Sequence, residues 1–143
     1  MRPTYENELS KADEQRISPL IERLWKCKMD KLPMKNFIDF AFMRKKVGLV
    51  AYAEIKCRKN PRQQYPTFMV SLEKWMHSQH IAKVSNGVPM FFIVEWTDGL
   101  YWVRQDTATY SVGVGGRLDR NDPLDRELCV FISVDQFQRL AIG

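Results

Sequence analysis

Between Phe37 and Arg58 the chain reads FIDFAFMRKKVGLVAYAEIKCR, two apolar runs separated by a basic segment that ends in glycine. The runs are rich in Phe, Ile, Val, Ala and Tyr, which suits buried strands, and RKKVG is a fitting hairpin connection. Each run also carries charge where a buried strand ordinarily has none: Asp39 on the first, Glu54 and Lys56 on the second. If residues 45–48 form a four-residue loop, Arg44 faces Leu49, paired positions sum to 93, and Asp39 lies directly opposite Glu54. Such residues share a face of the sheet, with Cβ atoms about 4.5–5.5 Å apart. A two-residue loop would leave the same two carboxylates as diagonal neighbours on that face, whereas an even sum would separate them. Alternation sends Lys56 to the face of Glu54, and Ala53, Ile55 and Cys57 to the other.

Two facing carboxylates repel unless a cation lies between them. A divalent metal answers that need, because magnesium is typically held by one or two protein carboxylates together with water and phosphate oxygens. Lys56 would then help hold the phosphate or orient the attacking water, stabilising charge in the transition state. The chemistry suggested is phosphodiester hydrolysis. The alternative is an edge hairpin with solvated charges and an accidental Glu-Lys pair.

Charge distribution bears on the choice. The net charge is +5, yet from Lys26 to Arg62 eleven Lys or Arg stand against three acids, Asp30, Asp39 and Glu54. Basic charge is thus concentrated around the acidic pair, as a site for a polyanion requires, although a solvated basic surface would look the same. The 143 residues, 45% hydrophobic, suit one compact domain spanning 1–143. Three widely spaced cysteines, Cys27, Cys57 and Cys129, argue against a disulfide framework and for a reducing interior. No apolar stretch approaches the roughly 20 residues of a membrane span, so a soluble, cytoplasmic protein is expected.

Residues 6–27 read as helical, with Ile17, Leu20, Ile21, Leu24 and Trp25 at helix spacing. Pro19 either opens a helix behind Ser18 or kinks a longer one. In one continuous phase Glu14 lies in line with Ile17 and Ile21, while Glu22 points away. KLPMK, residues 31–35, reads as a short strand or turn broken by Pro33. After the hairpin, Arg58, Lys59 and Arg62 sit in a polar loop suited to touching a phosphate backbone. Residues 67 to about 84 have Phe68, Leu72, Trp75, Met76 and Ala82 at helical spacing, with Thr67, Ser71, Lys74 and Ser78 on a flanking polar stripe. Lys74 could lean from there toward the hairpin or remain solvated. His77 and His80 have no acid or cysteine nearby to complete a metal shell and read as surface residues.

Asn86-Gly87 stops the helix, and VPMFFIVEW, residues 88–96, is the continuous apolar run of a strand covered on both faces. Thr97-Asp98-Gly99 turns it back into residues 100–104. Residues 109–114 and 127–134 read as two further strands. GVGG, residues 113–116, precedes no helix and lacks a following Lys-Ser or Lys-Thr, so it is not read as a nucleotide loop. Residues 135–140 are expected to form a short helix capped by Asp135.

The order helix, strand, Asp-bearing strand, E-x-K strand, helix, buried strand resembles the core of the PD-(D/E)XK nuclease superfamily. Ile38-Asp39 and Glu54-Ile55-Lys56 carry the match, over about residues 6–96. IDFAFMR, AEIKCR and YPTFMVSLEKW are similar to small nuclease-like proteins encoded by bacteriophages. One departure is Ile38, where the motif has proline. The resemblance implies an α/β (α+β) restriction-endonuclease-like core, α-β-β-β-α-β, with a mixed central sheet and an added C-terminal β-hairpin within residues 97–143. It implies Asp39, Glu54, the Ile55 carbonyl and Glu14 as ligands of Mg²⁺ or Mn²⁺, with Glu22 the second choice for the helix carboxylate. It implies Lys56 as the catalytic lysine and Lys74 as its helix-borne partner. Lys45, Lys46, Arg58, Lys59 and Arg62 are the expected DNA contacts. The implied activity is Mg²⁺-dependent DNA cleavage in the cytoplasm of a phage-infected or bacterial cell; the form of the substrate stays open, a branched or partly single-stranded DNA and a homodimer being compatible with the resemblance. Two other readings stay open: a binding module that keeps the fold without cleavage, and an interaction domain of a replication machinery.

Overall fold

The computed structural model describes residues 8–32, 38–116 and 126–140. In chain order these form α1 (Glu8–Trp25), β1 (Lys28–Lys31), β2 (Phe40–Arg44), β3 (Gly48–Cys57), β4 (Thr67–Ser71), α2 (Leu72–Val84), β5 (Met90–Trp96), β6 (Gly99–Arg104), β7 (Ser111–Gly116), β8 (Arg126–Ser133) and β9 (Gln138–Arg139). Six strands make a central sheet in the order β1-β2-β3-β5-β6-β9, and β4-β8-β7 make a second, smaller sheet. Within the central sheet β3 and β5 run parallel and their neighbours antiparallel. A parallel pair needs a crossover connection, supplied here by β4 and α2.

α1 covers one face of the central sheet. Ile17 and Ile21 pack there with Phe40, Phe42, Ala53 and Ile93. The helix runs unbroken through Pro19, and Ser18 Oγ donates to the Glu14 carbonyl at 2.6 Å. The other face meets α2 and the small sheet, where Trp75, Phe92, Val94, Phe68, Val130 and Ile132 join one core. The two faces of β3 therefore belong to different cores: Ala53 and Ile55 to the α1 side, Glu54 to the α2 side.

Four expectations change. The helix expected from residue 67 begins at Leu72, capped by Ser71, whose Oγ accepts from Lys74 N at 3.2 Å. Residues 67–71 instead form β4, with Phe68 and Val70 turned inward in alternation and paired to β8. Met76, placed among the apolar positions of that helix, is 58% exposed. The helix expected at residues 135–140 is a 3-10 turn, Val134–Gln136, capped by Ser133 rather than Asp135 and followed by β9 on the edge of β6. The first strand lies at Lys28–Lys31, earlier than expected, and residues 33–35 of KLPMK fall outside the described residues. Among the described residues no helix is long and apolar enough to cross a membrane.

Candidate active site

The β2–β3 register sets the geometry. Phe40 pairs with Ala53, Ala41 with Tyr52 and Phe42 with Ala51, all on the register with sum 93. Nearer the turn the ladder shifts, so that Arg44 faces Gly48, not Leu49. The connection has three residues, 45–47; Lys46 within it and Gly48 just after it have φ of 69° and 93°, and Val47 N donates to the Arg44 carbonyl at 3.1 Å. A bulge between Phe42 and Met43 restores the odd register before the charged positions are reached.

Asp39 therefore arrives beside the Glu54-Ile55 segment, and its Oδ2 accepts a hydrogen bond from Ile55 N at 3.2 Å. Burial raises its carboxyl above the usual aspartate range, the negative charge of Glu54 adds to the rise, and Lys56, Lys74 and Lys31 oppose it. Glu54 is 1% exposed. A lone buried carboxylate is costly, so its partners matter. Lys56 Nζ stands 3.3 Å from Glu54 Oε1, and Lys74 Nζ makes a short ion pair with the same oxygen. The Ser71 cap places Lys74 in the first turn of α2, and Ser78 Oγ donates to the Lys74 carbonyl at 2.9 Å. Of the expected polar stripe, Ser71 and Ser78 thus flank Lys74 where it meets Glu54, while Thr67 lies in β4.

Glu14 reaches the rim from α1. Lys31 Nζ lies 3.0 Å from Glu14 Oε2 and 3.9 Å from Asp39 Oδ1, so this lysine joins the two carboxylates. Lys31 went unnoticed in the sequence; its pairing with Phe40, next to Asp39, is the signal that exposes it. Glu22 is committed elsewhere, accepting from Met29 N at 2.8 Å and fixing the α1–β1 turn.

The expected nucleic-acid contacts divide. The Arg58 guanidinium lies 5.2 Å from the Phe68 ring centroid, and Lys59 is exposed beside it. Arg62 is drawn into the structure: Nη1 donates to the Val134 carbonyl at 2.9 Å, and its guanidinium sits 4.9 Å from the Tyr101 ring centroid. With these contacts made, it is poorly placed to reach a phosphate. Lys45 and Lys46 are exposed at the hairpin turn, about 20 Å along β3 from Glu54 at the usual rise per residue. His77 and His80 are exposed on α2.

Among the described residues no three Asp, Glu, His or Cys side chains stand close enough to hold a metal between them. The donor chemistry nevertheless fits a hard cation. Asp39, Glu54 and the Ile55 carbonyl offer oxygen, and ammonium groups already stand against the two carboxyls, Lys31 against Asp39 and Lys56 and Lys74 against Glu54.

Among solved structures, the chain is similar to Hjc, a Holliday junction resolvase of the archaeal hyperthermophile Archaeoglobus fulgidus, with 12% identity, a TM-score of 0.57 and 91% of each chain covered. At that identity the likeness shows the fold, which is restriction-endonuclease-like. No curated protein matches the sequence. The sequence does match the family described as "Phage putative PDDEXK endonuclease" over residues 1–140. With its E-x-K strand, its Asp-bearing partner strand and this fold in place, the chain belongs to that family of phage nucleases.

Proposed function

We propose that the protein is a metal-dependent endonuclease that hydrolyses DNA phosphodiester bonds. The observation that carries this reading is the meeting of Asp39, Glu54, Lys56 and Lys74 at one end of β3, where Glu54 is buried and Asp39 abuts the Ile55 amide. Asp39, Glu54 and the Ile55 carbonyl would hold Mg²⁺ or Mn²⁺, with Glu14 completing the set from α1. When bound, such a cation neutralises phosphate charge and makes water a better nucleophile at neutral pH. Lys56, at the mouth of the site and 41% exposed, offers its ammonium to a non-bridging phosphate oxygen and to the charge that develops during attack. Lys74 compensates Glu54 when no substrate is present and adds positive charge to the same face. Arg58 and Lys59 border the site and would position the backbone without reading sequence.

A branched or partly single-stranded DNA and a homodimeric enzyme belong to the same reading. Support comes from the likeness to a Holliday junction resolvase. A second reading, a nucleic-acid-binding module without cleavage, draws on the two ammonium groups that hold Glu54. One assay separates them. Linear duplex, single-stranded and four-way-junction DNA are incubated with the protein in Mg²⁺, Mn²⁺ or EDTA. Cleavage that requires a divalent ion, and is strongest on the junction, is expected. Cleavage that persists in EDTA would overturn the metal mechanism, and binding without cleavage in any metal would favour the second reading.

A further inference from the structure

On the α1 side of the central sheet, away from Glu54, lies an aromatic groove of about 490 Å³ lined in part by Trp25, Phe42, Val50, Pro89, Phe91 and Trp102. The Trp25 ring centroid is 5.4 Å from Phe42, 5.1 Å from Phe91 and 6.1 Å from Trp102. Phe91 and Trp102 are 5.6 Å apart. Lys26 and Arg44 line the same groove, and Arg44 Nη2 donates to the Trp25 carbonyl at 3.2 Å, which holds the guanidinium there. Lys45 and Lys46 follow Arg44 in the exposed turn. The nearby acids are engaged: Glu22 with Met29 N, and Asp106 with Arg104, which stands across from Phe91.

Aromatic rings beside a cluster of cations are the combination by which proteins hold single-stranded nucleic acid, the rings stacking on bases and the cations tracking the backbone. Charge selects among occupants. Two copies meeting through this groove would bring like-charged rims together, and a purely apolar segment would leave the cations unused. We propose that the groove is a second nucleic-acid site, in which an unpaired base stacks against Trp25, Phe91 and Trp102 and its phosphates lie on Lys26, Arg44, Lys45 and Lys46. The proposal rests on the nuclease reading for the identity of the polyanion. Ala51 lines the groove on the α1 face, and Glu54 lies three residues further on, about 10 Å along the strand, on the opposite face. A strand held here is away from the scissile position. The groove therefore anchors an unpaired arm of a substrate whose backbone is cut at Asp39 and Glu54, and it gives the distant hairpin lysines a role that the active site does not.

The test uses the full chain in EDTA with an oligothymidylate of about ten nucleotides, within the range of single-strand sites. Trp75 and Trp96 are 1% and 4% exposed, whereas Trp25 and Trp102 are half-buried, so quenching by stacked bases reports on the groove. Saturable quenching is expected, removed in the Trp25→Phe/Trp102→Phe double variant. By anisotropy of labelled oligonucleotide, Lys45→Ala/Lys46→Ala should bind on the order of ten-fold more weakly and with a shallower salt dependence. These two lysines are solvent-exposed, so that variant also guards against a folding defect. Absence of quenching, or unchanged affinity in Lys45→Ala/Lys46→Ala, would overturn the proposal. Quenching that appears with protein concentration alone would assign the groove to a second copy instead. Cleavage in the separate Mg²⁺ assay without groove binding would leave the nuclease reading standing, and groove binding with no cleavage in that Mg²⁺ assay would remove the nuclease reading and keep the site.

Discussion

Buried alone, a carboxylate as enclosed as Glu54 would cost several kcal/mol, and the three lysines around the site set how much of that cost remains. Lys74 lies closest. Its removal leaves Glu54 to Lys56, which is itself 41% exposed. Lys74→Ala should therefore destabilise the protein by about 1–3 kcal/mol in urea denaturation, and Glu54→Gln, which removes the charge, should cost less than Lys74→Ala. The reverse ranking would show that Glu54 does not depend on Lys74. Cys27 offers a separate test on the groove side. Burial raises its thiol, Glu22 adds to the rise and Arg44 opposes it. A thiol raised in the fold binds its proton more tightly there than in the unfolded chain. Its contribution to stability is thus complete below the ordinary cysteine range and declines as pH climbs through the raised value. Alkylation of Cys27 by iodoacetamide at pH 8, read by mass spectrometry, should be slower than that of an unfolded cysteine peptide. An equal rate would contradict the burial.

At the scale of elements, the hairpin was legible because the pairing of two charged strands has only two parities. The loop is one residue shorter than its sequence suggests, and the bulge between Phe42 and Met43 compensates, so Asp39 and Glu54 still arrive together. β4 was not legible. The spacing of Phe68 and Val70 with Leu72, the first residue of α2, fits both periods over so short a window, and the partner β8 lies some sixty residues away. What decides it is Ser71, which caps α2 and ends the strand at once. Ser71→Ala should cost about 1 kcal/mol in thermal or urea unfolding and, by loosening the first turn that carries Lys74, should lower cleavage activity as well. Loss of stability with unchanged activity would mean that Lys74 does not act through its position. Lys31 was hidden for a related reason: its proximity to Glu14 and Asp39 appears only once β1 is paired with β2.

Across the whole molecule, the central sheet separates two chemistries. The α2 face and the strand ends carry the carboxylates and lysines, and the α1 face carries the aromatic groove. From α1 to β6, β4 excepted, the order of elements was visible in the sequence, with clear punctuation at Asn86-Gly87 and Asp98-Gly99. The small β4-β8-β7 sheet was not, because long-range pairing leaves no local mark. Under the proposed reading of a homodimer acting on branched DNA, light scattering should return twice the chain mass of 16.9 kDa; a strict monomer would contradict that part of the account. The central claim is that Asp39, Glu54 and Lys56 form one hydrolytic site, and the most direct measurement is the rate of Mg²⁺-dependent DNA cleavage by the wild type, Asp39→Asn, Glu54→Gln and Lys56→Ala, each checked for native folding. Every variant is expected to lose about 100-fold or more; full activity in any one of the three would contradict the assignment.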